Sequence, residues 1–211
     1  MAETFVVRRA EFSIEDPWAI PPQAGSVRLR SAIDAAPPRL STALAAYFDY
    51  DYLTLVFSGA DDHSVATHLA HDAPLYEEDV VEMFLAPRTA AEYFEIEVNL
   101  LGTTFDARIE SPEGVRSTMR ADRGWDCKRL FAGVRKVSES SGIMTVETVV
   151  RVPFDALSAA MPRSGESWRG NFFRIDRHPH LGDEYLAWQP TMKTPADFHV
   201  TAAFGTLRFE G

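Results

Sequence analysis

The sequence has a single cysteine and lacks long hydrophobic runs. Cys127 has no second cysteine to pair with inside the chain, so an internal disulfide and a cysteine-ligated metal cluster are both excluded. No stretch approaches the roughly 18 apolar residues of a membrane-spanning helix. The first residues lack the basic start, apolar stretch and cleavage site of a secretion signal. We therefore expect no membrane partner. We also expect a cytoplasmic protein, or a secreted one if a leader was removed from a longer precursor.

Positive charge is also scarce. The chain of 211 residues carries 21 Lys and Arg against 31 Asp and Glu, which gives a formal net charge of -10. This field repels phosphate backbones and anionic membranes, so nucleic acid is excluded as a partner. Hydrophobic residues make up 45% and charged residues 25%, as in ordinary globular proteins. A neutral or cationic ligand is compatible with this balance.

Short runs with apolar residues at alternate positions fill most of the chain, and many contain β-branched or aromatic residues. Such runs are typical of β-strands. They predict an all-β fold, a two-sheet antiparallel β-sandwich with jelly-roll or immunoglobulin-like layers. The predicted strands are residues 5–9, 27–32, 41–48, 52–59, 80–86, 93–99, 104–110, 130–137, 144–152, 171–176, 184–188 and 205–209.

One segment has a helical pattern. Pro153 suits the first turn of a helix, and Phe154, Leu157 and Met161 would share one face of it. We predict one short helix over residues 153–161 that connects the two sheets. No change of composition or internal repeat divides the chain, so residues 1–211 are expected to form a single domain.

Alternation also separates the two faces of each strand. Val81, Met83 and Leu85 share one face of their strand and are predicted core residues. If the strands are neighbours, the other face carries a polar array that could give paired hydrogen bonds to sugar hydroxyls, or could simply be a solvated sheet face. Its members are Glu82, Glu95, Glu97, Asn99, Asp106, Arg108, Arg174 and Asp176.

Two stretches resemble the family 9 carbohydrate-binding modules and the related DOMON-type sandwiches. The first comprises residues 75–85, LYEEDVVEMFL, and residues 93–103, YFEIEVNLLGT, which are similar to an aromatic, acidic Val-Glu-x-Phe motif followed by a Val-Asn strand. The second comprises residues 168–176, 185–190, 197–200 and 204–209, which are similar to the closing strands of the family and its terminal Phe-Gly-x-Leu. The resemblance covers roughly the last two-thirds of the chain.

The resemblance implies a binding module without catalytic residues, whose partner is a carbohydrate held between two aromatic rings. Tyr76 and Phe198 match the two ring positions, and Glu82 matches an acidic sugar ligand. Glu97 stands where the family pattern has an arginine, and Arg174 or Arg108 is a candidate replacement for that cation. The predicted carbohydrate-binding residues are Tyr76, Glu82, Glu97, Asn99, Arg174 and Phe198. Neither the sugar nor the oligomeric state follows from the sequence.

Other functions remain open at this point. Two of the carboxylates Glu82, Glu95, Glu97 and Asp106 could hydrolyse glycosides if they were suitably spaced. The sequence favours a protein that is not an enzyme but does not decide the question. DOMON-type relatives include haem proteins, for which Met83 and His199 are candidate axial ligands. His68 with His71, and His178 with His180, are candidate metal ligands that lack a zinc spacing. We predict no cofactor, although calcium is possible at Asp61-Asp62 or Glu77-Glu78-Asp79.

Overall fold

The computed structural model describes residues 3–211 and consists almost entirely of β-strands and connecting segments. No helix in that part of the chain is long and apolar enough to cross a membrane. The strands are β1 (Thr4–Arg9), β2 (Gly25–Arg28), β3 (Arg30–Ser31), β4 (Thr42–Phe48), β5 (Tyr52–Asp61), β6 (Val80–Ala86), β7 (Glu92–Asn99), β8 (Thr104–Glu110), β9 (Arg120–Asp122), β10 (Phe131–Ser140), β11 (Ile143–Pro153), β12 (Ser167–Asp176), β13 (Glu184–Ala187) and β14 (Gly205–Glu210).

The strands are connected in the order β10-β11-β5-β4-β1-β14-β12-β6-β7-β8-β9, and this path curls into two packed layers. Leu55 and Val150 from one layer pack in the same apolar cluster as Met83, Ile96 and Phe172 from the other. The predicted β-sandwich is therefore confirmed. The sheet is mixed rather than wholly antiparallel, because β1 pairs in parallel with both β14 and β4.

A second apolar cluster covers the other face of β6, β7, β8 and β12, which we call the outer face. Phe84, Phe105 and Phe173 lie on it, and Phe198 and Phe204 pack over them from a later segment. Aromatic pairs of this kind add about 0.5–1.5 kcal/mol beyond their buried area. The outer face is therefore buried along much of its length, although its alternation predicts a polar surface.

Not all of the predicted polar array lies on the outer face. Asp106 pairs with Ile96 and Arg174 pairs with Val81, so both side chains are on the same side as the main core. Arg108 pairs with Phe94 and shares this side. The prediction that these residues share one face with Glu82 and the other glutamates is wrong. The register of β8 and β12 places them opposite core residues of the neighbouring strands, and their side chains therefore lie on the core side of the sheet.

The predicted short helix over residues 153–161 is also wrong. Residues 3–211 contain no α-helix, and only 3-10 turns occur, at Leu75–Glu77, Arg116–Thr118 and Thr201–Ala203. Pro153 ends β11, and Phe154 begins a turn in which its carbonyl accepts the N–H of Leu157. Ser158 then takes a left-handed conformation with φ of 52°, which a helix cannot contain. Phe154 and Leu157 still reach the main core.

Replacing Gly205 by alanine should lower the free energy of unfolding by about 1–3 kcal/mol, a typical cost of overpacking. A Cβ atom at this position would lie 2.2 Å from the buried indole ring of Trp188, which has no room to move. Urea unfolding monitored by circular dichroism measures the change. Gly124→Ala is the matched control, because its new Cβ meets only the flexible side chain of Asp122 at 3.3 Å. Equal stability of the two variants would contradict the prediction.

Candidate functional site

A cavity of about 330 Å³ lies over the outer face. Its floor comes from β6 and β7, and its walls come from the connecting segments around residues 76, 116–123, 177–185 and 196–199. Ligand pockets usually have volumes of about 300–1,000 Å³, so the space suits a small molecule. The cavity brings together chain segments that are far apart in the sequence.

Three glutamates, which we call the acid cluster, form the floor of the cavity. Glu82 on β6 lies directly opposite Glu97 on β7, and Glu95 follows on the same face of β7. Each offers a carboxylate oxygen, and these oxygens lie within 4.8 Å of one another. Glu82 is 2%, Glu95 7% and Glu97 1% exposed. Strand pairing thus concentrates three buried acidic groups in a small volume.

Burial changes the acidity of this cluster. Desolvation raises the pKa of Glu82 and of Glu97 well above their usual range, and the neighbouring carboxylates raise both further. Burial raises the pKa of Glu95 to about 7, although Arg116 and Arg123 oppose the shift. Ionised carboxylates are costly in such a site unless a cation or a hydrogen-bond donor is present.

Aromatic rings form the walls of the cavity. Tyr76 is 40% exposed at the rim. Phe198 is buried and stacks on Phe173 with ring centroids 4.2 Å apart and planes 11° from parallel. Tyr185 packs against Phe198 in a T-shaped arrangement, with ring centroids 6.3 Å apart. Phe105 lines the cavity from β8. Such rings offer apolar faces to a flat ligand.

Three arginines and a histidine complete the lining. The guanidinium of Arg116 pairs with Asp197 at 3.0 Å, and Arg177 donates to the hydroxyl of Tyr185 at 2.7 Å. Arg123 extends over the ring of Phe105, 5.6 Å from its centroid. His199 Nδ1 lies 2.7 Å from the Tyr93 hydroxyl, and burial lowers the pKa of His199 to about 4, so the ring is neutral at pH 7.

The structure brings Tyr76, Glu82, Glu97 and Phe198 to this cavity. Asn99 and Arg174, the other two residues predicted from the sequence, have different surroundings. Asn99 donates from Nδ2 to Glu78 Oε1 at 2.7 Å, and its Oδ1 accepts backbone N–H groups of the following turn.

Arg174 lies between the two layers of the sandwich. It donates to Thr42 Oγ1 at 3.0 Å, to the carbonyl of Ala60 at 2.6 Å and to Asp176 Oδ1 at 2.9 Å. Both Asn99 and Arg174 therefore hold the scaffold in place, and neither extends into the cavity.

Glu95 lines the cavity as a member of the predicted polar array that was not among the six predicted sugar ligands, and Arg116 and Arg123 are lining residues that the sequence did not single out. Glu95 was detectable, because it alternates with Glu97 along one face of the same strand. The two arginines belong to the segment between β8 and β10, whose path over the outer face leaves no periodic pattern in the sequence.

The candidate haem ligands Met83 and His199 lie on opposite sides of β6. Met83 is fully buried in the main core, whereas His199 packs against Phe84 on the outer face, with ring centroids 4.9 Å apart. One haem iron cannot contact both side chains. Of the candidate metal-binding histidines, His71 lies with Asp72 and Asp106, with ligand atoms within 4.8 Å of one another.

One residue from each predicted calcium site, Asp61 and Asp79, lies with Asp176 in a buried cluster, in which carboxylate oxygens lie within 4.8 Å of one another. Calcium needs about 6–8 oxygen ligands. Here each carboxylate already accepts hydrogen bonds from the protein. Asp61 accepts from the Ser64 hydroxyl, and Asp79 accepts from the backbone N–H groups of Val65 and Arg177. Asp176 accepts from the guanidinium groups of Arg39 and Arg174. This donor set fits an internal ion-pair network better than a metal site, and calcium stays a prediction.

The comparisons with solved structures cover nearly the whole chain. A candidate carbohydrate-binding protein from Bacteroides uniformis ATCC 8492 has 17% identity, covers 100% of both chains and has a TM-score of 0.76. A family 9 carbohydrate-binding module from Caldicellulosiruptor kristjanssonii in complex with cellotriose has 14% identity, covers 99% of this chain and 94% of that one, and has a TM-score of 0.68. The glucose complex of a family 9 module from the same organism has 13% identity, coverage of 99% and 96%, and a TM-score of 0.65.

At these low identities the TM-scores show that the proteins share a fold. No curated protein matches the chain. The sequence model of carbohydrate-binding family 9, in contrast, matches residues 42–209, which run from the start of β4 to the penultimate residue of β14. The match supports the family 9 part of the predicted resemblance and does not extend to the DOMON-type sandwiches. The chain belongs to carbohydrate-binding family 9.

Proposed function

We propose that this protein is a non-catalytic carbohydrate-binding domain that holds a sugar in the cavity over the outer face. The observation that carries the proposal is the convergence of Tyr76 and Phe198 with Glu82 and Glu97 around one cavity of about 330 Å³. These side chains come from separate segments of the chain. The family resemblance implies ligand roles for Tyr76, Phe198 and Glu82, and Glu97 stands where the family pattern has an arginine.

The chemistry of the cavity suits a sugar ring. Pyranose rings present C–H groups on their faces and hydroxyls at their rim. Tyr76 and Phe198 supply apolar area for the faces. The acid cluster and the arginine side chains accept and donate hydrogen bonds at the rim. Solved relatives with the same fold bind glucose and cellotriose, which makes β-linked glucose oligomers the first ligands to test.

The arrangement of the carboxyl groups supports binding rather than hydrolysis. A glycosidase places its acid and its second carboxylate on either side of the scissile bond, and only one of them is protonated. Glu82 and Glu97 are direct neighbours on adjacent strands and form one floor. Burial raises the pKa of both side chains, so their environments do not separate the two roles.

Replacing Tyr76 by alanine should weaken cellotriose binding about tenfold, the equivalent of roughly 1.4 kcal/mol of lost ring contact. Tyr76 is 40% exposed, so its removal leaves the cores intact. Isothermal titration calorimetry measures the change in dissociation constant.

Tyr50→Ala is the matched control. Tyr50 is 69% exposed and lies beneath the guanidinium of Arg9, outside the cavity lining. Its loss should leave the affinity unchanged. Equal affinity of Tyr76→Ala and the unmodified chain would disprove the role of the tyrosine, and failure of a broad glycan array to give any ligand would disprove the function.

A further inference from the structure

The acid cluster lacks a direct cationic partner among residues 3–211. Of the ion pairs in that range, the one that includes a member of the cluster joins Glu95 Oε1 to His199 Nε2 at 3.6 Å, and His199 is neutral at pH 7. Arg116 and Arg177 line the cavity but pair with Asp197 and Asp183. The third lining arginine, Arg123, lies over the ring of Phe105, so the floor holds three carboxyl groups that no cationic side chain of the described residues contacts.

Several oxygens of the cluster also lack hydrogen-bond partners. In the described part of the chain, Glu82 Oε1 and both carboxylate oxygens of Glu97 are buried and lack a well-formed hydrogen bond, although the backbone N–H of Tyr76 is close enough to Glu97 to oppose the rise in its pKa. Both side chains are more than nine-tenths buried and line the cavity. Buried polar atoms usually have partners, because an unpaired one costs about 1–3 kcal/mol. These oxygens indicate that a ligand supplies the missing donors.

A primary ammonium group fits this floor better than a hydroxyl does. It carries one positive charge and three N–H donors, which can meet three carboxyl groups at once. A hydroxyl supplies one donor and no charge. Tyr76 and Phe198 add rings that attract a cationic ligand through their faces as well as its C–H groups.

The surroundings favour an ammonium group over a bare divalent cation. Calcium binds among many oxygen ligands, often carbonyls and waters. The walls above the acid cluster are instead Phe105, Tyr185 and Phe198. Arg116 and Arg123 also line the cavity, and their positive charge repels a divalent ion about twice as strongly as a singly charged ammonium group. A cavity with aromatic walls and an acidic floor suits an organic cation.

We propose that the preferred ligand is a sugar with a free amine, and that its ammonium group binds between Glu82, Glu95 and Glu97 while its ring lies between the aromatic walls. This inference rests on the proposed function, because it names the class of sugar for the same cavity.

The test compares three trisaccharides with the same backbone on the unmodified chain at pH 7. They are cellotriose, the fully deacetylated glucosamine trimer, and its N-acetylated form. We expect the amine trimer to bind at least tenfold more tightly than cellotriose, and N-acetylation to remove this preference. Isothermal titration calorimetry with and without EDTA measures each affinity.

Glu95→Gln and Glu97→Gln locate the amine. Each should reduce the ratio of amine-trimer affinity to cellotriose affinity at least fivefold. Glu113→Gln, at an exposed position outside the cavity lining, should keep the ratio. Circular dichroism confirms that the variants fold, and the ligand comparison on the unmodified chain needs no variant.

The outcomes separate this inference from the proposed function. Cellotriose binding as tight as that of the amine trimer overturns the amine preference and keeps the carbohydrate-binding function. A preference that survives both glutamine substitutions places the amine elsewhere and also overturns the inference. Loss of the amine preference in EDTA, restored by calcium chloride, shows that a bound metal ion is needed for the preference and overturns the inference. If no sugar binds, the proposed function itself fails.

Discussion

Replacing Arg174 by methionine should lower the free energy of unfolding by about 3–5 kcal/mol, the cost of breaking a buried ion pair from one side. Arg174 donates to Asp176, and the oxygens of Asp176 lie within 4.8 Å of those of Asp61 and Asp79. Without the guanidinium, Arg39, which pairs with Asp176 at 3.1 Å, is left to balance this buried acidic group. Urea unfolding measures the loss.

A double substitution tests the cause. Arg174→Met combined with Asp176→Leu removes both buried charges, and it should recover a large part of the lost stability because packing replaces the pair. Arg208→Met is the matched control, since Arg208 is 55% exposed and its pair with Glu210 at 3.6 Å should contribute less than about 1 kcal/mol. A loss at Arg174 no larger than at Arg208 would contradict the prediction.

Raising the pH from 5.5 to 8.5 should destabilise the protein by at least about 2 kcal/mol, because Glu95 alone contributes about 1.4 kcal/mol for each pH unit between 5.5 and 7. Burial raises the pKa of Glu95 from 4.5 to about 7 and that of Asp79 from 3.8 to about 7, so at pH 5.5 the folded protein keeps protons that the unfolded chain has already released. Stability therefore falls as the pH rises through this window. Glu82 and Glu97, whose pKa values are raised further, extend the loss to higher pH. Thermal unfolding across the range measures the effect.

Glu97→Gln should make this pH dependence shallower. Glutamine resembles the protonated side chain, so the variant should be more stable than the unmodified chain at pH 8.5 and nearly equal to it at pH 5.5. Glu113→Gln, on the exposed turn after β8, should leave the slope unchanged. A slope that stays the same in Glu97→Gln would show that the acid cluster does not cause the effect.

The sequence predicts the strands and the main core well, because both follow from local alternation. Val81, Met83 and Leu85 alternate with Glu82 and Phe84, and the first three lie in the main core as predicted. Alternation is set by the pleat of each strand alone and does not depend on the remainder of the fold. The same property makes Glu95 and Glu97 recognisable as neighbours on one face.

Sequence reasoning failed where the answer depended on partners distant in the chain. Arg174 alternates like a surface residue, but the pairing of β12 with β6 turns it toward the space between the layers. The outer face is polar in pattern and yet buried, because Phe198 and Phe204 cover it from a later segment. The helix over residues 153–161 failed for a local reason, since the left-handed Ser158 ends the turn early.

The cavity is built from two kinds of structure with different tolerance for change. Its acidic floor stands on β6 and β7, whose ladder partners fix each side chain in place. Most of its rings and guanidinium groups stand on connecting segments, which accept substitution, insertion and deletion more readily. Evolution or engineering can therefore reshape the walls by changing loops, while the three carboxyl groups at the bottom keep their spacing.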